Sequence, residues 1–209
     1  MKRVLVAVVL MVVLGLQSAG HIVEASDWSR VVQRVAASTA PLTCSLHSRN
    51  VCTAFSINAE QGLYLTANHC AQPFMSDEGE AEVPFLDGQA LTVVFVSEAL
   101  DLAIVKSAVK RPALTYRTKP LLVGAEVGSY GYGYGLVVPI FRTSIISAFV
   151  KDPTGIEWTF LDSALIGGMS GGPVVDRDGR VVGVNDKSDN WSGFSLSLTQ
   201  ILTATQFWE

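Results

Sequence analysis

Gly168-Met169-Ser170-Gly171-Gly172-Pro173 is the stretch on which the reading of this chain turns. Glycines on both sides of one serine permit backbone angles that other residues resist, so the chain can turn sharply and leave the hydroxyl accessible. Such a turn can aim the N–H groups of Gly168 and Ser170 at one point. Two donors there would stabilise the negative oxygen that forms when Ser170 attacks a carbonyl carbon. Glycine runs also build ordinary surface turns, so the segment needs partners.

Two lie upstream. Leu65-Thr66-Ala67-Asn68-His69-Cys70 is a short apolar run ending in a histidine, and Asp101-Leu102-Ala103-Ile104-Val105-Lys106 is an acid opening another β-branched run. Each has an ordinary reading: a histidine after a strand is commonly structural, and an aspartate commonly forms a turn. Their order with the serine, His69, Asp101, Ser170, is the order of the chymotrypsin triad and not that of subtilisin or the α/β-hydrolases. The pattern Gly168-x-Ser170-x-Gly172 would also suit an α/β-hydrolase esterase, but there the histidine comes last. The three motifs together resemble the trypsin/chymotrypsin superfamily, with its T-A-x-H-C, D-[LI]-A and G-x-S-G-G-P signatures.

That resemblance implies an all-β fold of two antiparallel six-stranded Greek-key β-barrels with a C-terminal helix and a cleft between the barrels. It implies a serine endopeptidase with His69 as base, Asp101 as its orienting acid, Ser170 as nucleophile and Gly168 and Ser170 as the oxyanion hole. The substrate would be a protein or peptide, with no cofactor and no metal. Strand-like runs bounded by turn residues agree, at 51–57, 63–67, 91–96 and 102–106, then 126–130, 141–150, 158–161, 172–175, 181–185 and 193–198. Residues 110–120, basic and bounded by Pro112 and Pro120, read as the linker. The expected division is a leader at 1–25, an N-terminal segment and first barrel at 26–115, and the second barrel with its helix at 116–209. Residues 26–40 have helical spacing (Trp28, Val31, Val32, Val35) and read as a short N-terminal helix or a propeptide remnant, and 199–208 can form the closing helix.

In the family a cysteine after the catalytic histidine bridges to the preceding strand, which here implies Cys52–Cys70. Closing that loop would stabilise the fold by roughly 3 kcal/mol. Cys44 is left over, and Cys44–Cys52 is the rival pairing. The floor of the primary pocket falls by analogy on Ser163 or Ala164, with walls from Asp186, Lys187, Ser188 and the Gly193 region. Neither floor residue is an acid, so a small or apolar substrate side chain is expected there.

The chain also departs from the trypsin pattern. Where a zymogen carries the Asp that receives a new N-terminal ammonium, this sequence has Met169, and no Ile-Val-Gly-Gly segment exists. A thioether cannot neutralise a buried ammonium. The oxyanion hole is therefore expected to form without an activating cleavage, as in the bacterial, HtrA-like branch of the superfamily. No PDZ domain is expected in this length.

The 209 residues carry 15 Lys+Arg against 19 Asp+Glu, a net charge of −4, which gives no basic footprint for nucleic acid. The three histidines and three cysteines lack the paired spacing of a metal site. Lys2 and Arg3 precede an apolar run at 4–14, which is signal-peptide length and shorter than the roughly 20 residues of a membrane span. Cleavage after Gly20 or Ala25 would give a secreted or periplasmic protein with no stable membrane insertion; an uncleaved anchor is the alternative. An inactive protease-fold binding module is the alternative function.

Overall fold

The computed structural model describes residues 27–43, 51–72, 74–75, 81–82, 84–134 and 138–205. The leader at 1–25, Cys44 and the end of the chain from 206 lie outside the described residues. The chain opens with helix α1 (Asp27–Ser38), whose Trp28, Val31 and Val35 form one buried stripe while Arg30 and Arg34 stay exposed. It leads directly into the first barrel: β1 (Thr39–Thr43), β2 (Val51–Asn58), β3 (Leu63–Ala67), β6 (Phe85–Leu86), β7 (Gln89–Ser97) and β8 (Leu102–Ser107). These close in the order β1-β2-β3-β8-β7-β6. A one-turn helix α2 (Asn68–Ala71) follows β3, and β4 (Phe74–Met75) pairs with β5 (Ala81–Glu82) as a separate ribbon.

The second barrel contains β9 (Glu126–Tyr132), β10 (Pro139–Lys151), β11 (Glu157–Leu161), β12 (Pro173–Val175), β13 (Val181–Ser188) and β14 (Gly193–Ser197), closed as β10-β11-β14-β13-β12-β9. All the strand pairings within the two barrels are antiparallel. Helix α3 (Leu198–Thr205) closes the described chain on β13 and β14. The expected all-β double barrel with a C-terminal helix is thus the fold. No helix among the described residues is long and apolar enough to cross a membrane.

The linker is more than a connection. Leu114 N–H donates to the Ser56 carbonyl in the first barrel, while Val181 N–H donates to Thr115 and Arg117 N–H donates to Val181 in the second. The Arg117 guanidinium then pairs with the buried Asp176 carboxylate at 2.9 Å. One continuous apolar core runs from α1 through Phe55, Leu65 and Ile104 of the first barrel to Tyr130, Val184 and Leu196 of the second. The two barrels are packed as one body, which fixes the cleft between them.

Candidate active site

His69 sits on α2, two residues past the end of wholly buried β3, so its position is set by a strand locked on both sides by β2 and β8. Asp101 precedes β8 in the left-handed region, at φ 47. That backbone turns its side chain back toward α2: Oδ1 accepts the His69 backbone N–H at 2.9 Å, and Oδ2 meets the ring Nδ1 at 2.6 Å. The Asp101 carbonyl accepts the Asn68 N–H as well. Burial pushes the Asp101 carboxyl upward, but the bonds from the His69 ring and backbone overcome this and hold it at about 2. A carboxylate only accepts, so Nδ1 carries the proton and Nε2 is left as the basic nitrogen. The hydrogen bond to Asp101 raises the His69 pKa; burial opposes it, and the charges of Asp101 and Asp186 add to the rise.

Ser170 lies in the loop before β12, at the seam of the barrels. Gly171, at φ +78, packs so closely on the first barrel that a Cβ would lie 2.2 Å from Thr66 Oγ1 and 2.3 Å from the Thr53 carbonyl. Only glycine fits there. Thr53 of β2, fully buried, holds the loop with almost every polar atom it owns. Its N–H donates to the Ser170 carbonyl at 2.9 Å, and its hydroxyl donates to the Gly168 carbonyl at 2.9 Å while accepting the Tyr132 N–H at 2.9 Å. Its carbonyl accepts the Thr66 hydroxyl. The adjacent Cys52 forms the disulfide to Cys70, beside His69. The dipeptide Cys52-Thr53 therefore tethers the histidine turn with one residue and the serine loop with the next. As a disulfide, these cysteines offer no thiolate to a metal.

Thr53 escaped the sequence reading because a threonine in a strand carries no signal of its own; only the pairing of the barrels reveals it. Thr53→Val keeps the shape but leaves the Gly168 carbonyl and Tyr132 N–H unpaired. Urea unfolding should show a loss of about 2–4 kcal/mol, whereas Thr53→Ser should lose much less.

The Ser170 hydroxyl donates to the Asp186 carbonyl at 2.9 Å. Among the described residues no hydrogen bond joins it to His69, and none engages the N–H of Gly168 or Ser170. Met169 is fully buried. Of the residues expected in the primary pocket, Ser163, Ala164, Ser188 and Gly193 are brought together. The Ser188 hydroxyl accepts the Leu165 N–H at 3.0 Å, and Gly193 faces the Ser163 carbonyl so closely that a Cβ would stand 2.8 Å from it.

Asp186 and Lys187, also expected in the pocket wall, lie at a bulge of β13. The β13–β14 pairing shifts register between Asn185 and Lys187, and such a bulge re-aims the side chains at that point. They line a cleft of about 580 Å³ with His69, Glu98, Asp101 and Asp152, and the Lys187 ammonium rests 3.6 Å over the Trp158 ring. Burial pushes the Asp186 carboxyl up, with the hydrogen bond to Asp101 and that residue's charge adding; Lys187 and His69 oppose, and the balance is about 7.

A sequence model of the trypsin-like peptidase domain matches residues 52–184. The chain is similar to the probable periplasmic serine endoprotease DegP-like of Chlamydia trachomatis, 31% identical over 145 residues that cover 66% of this chain and 28% of that protein. It is also similar to the magnetosome formation protease MamE of Paramagnetospirillum magneticum, 38% identical over 101 residues, 44% of this chain and 14% of that one. The chain thus spans less than a third of these relatives' length. Among solved structures it resembles the active form of the Rv3671c protease from M. tuberculosis, with a TM-score of 0.70 and 23% identity over 84% of this chain and 82% of the other. The HtrA-type protease AlgW with tripeptide gives a TM-score of 0.68 at 25% identity over 86% and 62%.

Proposed function

The chain belongs to the trypsin-like peptidase domain family, on its HtrA-like side, and from that premise we propose that it is a serine endopeptidase acting on peptides or proteins through His69, Asp101 and Ser170. The observation that carries this reading is the 2.6 Å bond between His69 Nδ1 and Asp101 Oδ2, on a turn tied to the same β2 strand that holds the Ser170 loop. In the reaction the Ser170 hydroxyl turns from the Asp186 carbonyl to His69 Nε2. It gives up its proton there as it attacks the scissile carbonyl, and Asp101 stabilises the imidazolium. The N–H groups of Gly168 and Ser170 bind the oxyanion, each contributing about 3 kcal/mol. The imidazolium protonates the leaving amine, and water releases the acyl group by the same route. Ser163, Ala164, Ser188 and Gly193 form the primary pocket and suit a small or apolar side chain. Buried Met169 supports an oxyanion hole that needs no N-terminal ammonium.

The DegP-like relatives are described as periplasmic, and residues 1–25 have the pattern of a leader, so the protein is secreted or periplasmic in this reading. The division into a first barrel to 115 and a second from 116 belongs to the same proposal.

A fluorophosphonate probe tests the nucleophile without knowledge of the substrate. Peptide mapping should place the label on Ser170, and labelling should fade as acid protonates His69. The second reading, an inactive binding module, is favoured by the hydrogen bond that directs the Ser170 hydroxyl to Asp186. An unlabelled chain would establish that reading over the first, whereas a label on another serine would move the nucleophile away from Ser170.

A further inference from the structure

Asp186 is the group in this site that the triad chemistry leaves unused. It sits at the bulge between Asn185 and Lys187 and is only 8% exposed. One oxygen of its carboxyl, one of Asp101 and a ring nitrogen of His69 all lie within 4.8 Å of one another. Two carboxylates held this close repel each other, and a buried carboxyl loses its hydration when it ionises, so one of the pair keeps a proton. Asp101 already accepts from the His69 backbone and ring, two bonds that favour its anion. The proton therefore belongs on Asp186.

Resting on the triad reading, we propose that Asp186 is a positioning residue whose neutral carboxyl donates a hydrogen bond to Asp101 and so fixes the acid that orients His69. This donor, unlike a hydroxyl or an amide, can be lost by ionisation. The charged and titratable groups around it are Asp101 and His69 from the first barrel and Lys187 on its own strand, with Glu98 and Asp152 lining the same cleft. Burial dominates this balance, so Asp186 stays neutral well above the usual carboxylate range. When it does ionise, its negative charge adds to that of Asp101 and holds the proton on His69 to higher pH. The protons on His69 and Asp186 are thus linked, and the acid limb of activity belongs to the pair.

The test compares Asp186→Asn and Asp186→Ala in the full chain, reading the rate of inactivation by a fluorophosphonate from pH 5 to 9. Asn keeps a donor and cannot ionise; Ala has neither property. The Ala variant should react about 10 to 100 times more slowly, the scale of a hydrogen bond to a charged group. Asn should recover most of that loss while its acid limb moves down by about half a unit or more. Melting temperatures give a second measurement. The folded pKa of Asp186 is raised, so its contribution to stability is fully present below the ordinary value of 3.8 and is lost as pH rises through about 7. Wild type should therefore lose melting temperature relative to Asp186→Asn between pH 5 and 8.

An Asn variant with the wild-type limb and the wild-type melting profile would overturn the proposal, as would an Ala variant that reacts at full rate. Ser170→Ala and His69→Ala separate this from the triad reading. If both are inert while the Asp186 variants titrate like wild type, only the role of Asp186 falls. If either still reacts at the wild-type rate, the triad itself falls and the Asp186 proposal with it.

Discussion

Ser170→Ala should lower kcat by about a millionfold, the scale seen when a triad nucleophile is removed from a serine protease. No other hydroxyl can substitute, because attack requires an oxygen in a loop whose placement depends on Gly171 pressed against Thr66 and on Thr53 bonded to Gly168 and Ser170. The fold should barely notice. The hydroxyl is half-buried and makes one bond, to the Asp186 carbonyl, so unfolding should shift by about 1 kcal/mol or less. Calorimetry beside turnover of a fluorogenic peptide separates the two effects. Turnover reduced by less than about a hundredfold would mean that the nucleophile is elsewhere.

Asp101→Asn should reduce kcat by about ten-thousandfold near neutral pH with KM little changed. Asn tolerates the left-handed backbone that Asp101 adopts at φ 47, and its side-chain oxygen can still accept the His69 N–H. What changes is the partner of Nδ1. An amide nitrogen there favours the tautomer with the proton on Nε2, which can no longer take the Ser170 proton. The pH profile supplies a check. His69 is held above its ordinary pKa chiefly by the hydrogen bond to Asp101, and the reaction needs it neutral, so wild-type activity should rise with pH through a limb above about 6.5. Asp101, near 2, should not titrate in that range. In Asp101→Asn the limb should move down. A loss below tenfold would assign the orienting role to a different acid.

Much of this was legible in the sequence, for identifiable reasons. β3 falls on the bounds the apolar run gives, 63–67, because it is buried on every side and the run is continuous. β10 starts two residues before its run and ends one later, since its exposed ends pair with β9 and β11 whatever their side chains. β1 was invisible. Thr39-Ala40-Pro41-Leu42-Thr43 is short and holds a proline, and it is a strand because β2 and β6 lie on either side to pair with it. β6, two residues long, is too short to have a period. The expected helix at 26–40 ends at Ser38, where the chain is drawn into the barrel. The proposed triad was readable because histidine, aspartate and a glycine-framed serine carry chemistry in a fixed order. The bulge at Asp186 was not legible because it depends on the facing strand, and nothing local to Val184-Asn185-Asp186-Lys187 announces it.

Helix α1 runs straight into β1, yet it is seated on residues made far later. The Trp28 indole N–H donates to Glu126, 98 positions on, and the Arg34 guanidinium donates to the Asp178 carbonyl, 144 positions on. Arg177 covers the Trp28 ring from the same late turn. During synthesis the helix leaves the ribosome long before its seat exists. At about 5–20 residues per second the interval from Arg34 to Asp178 is roughly 7–30 s. For that time Trp28, Val31 and Val35 have no second barrel to cover them, and the nascent first half is a natural client for a chaperone. The same delay is protective. Ser170 and the turn that receives α1 emerge within a few residues of each other, so the proposed nucleophile is made only when the helix's last anchor is ready to close.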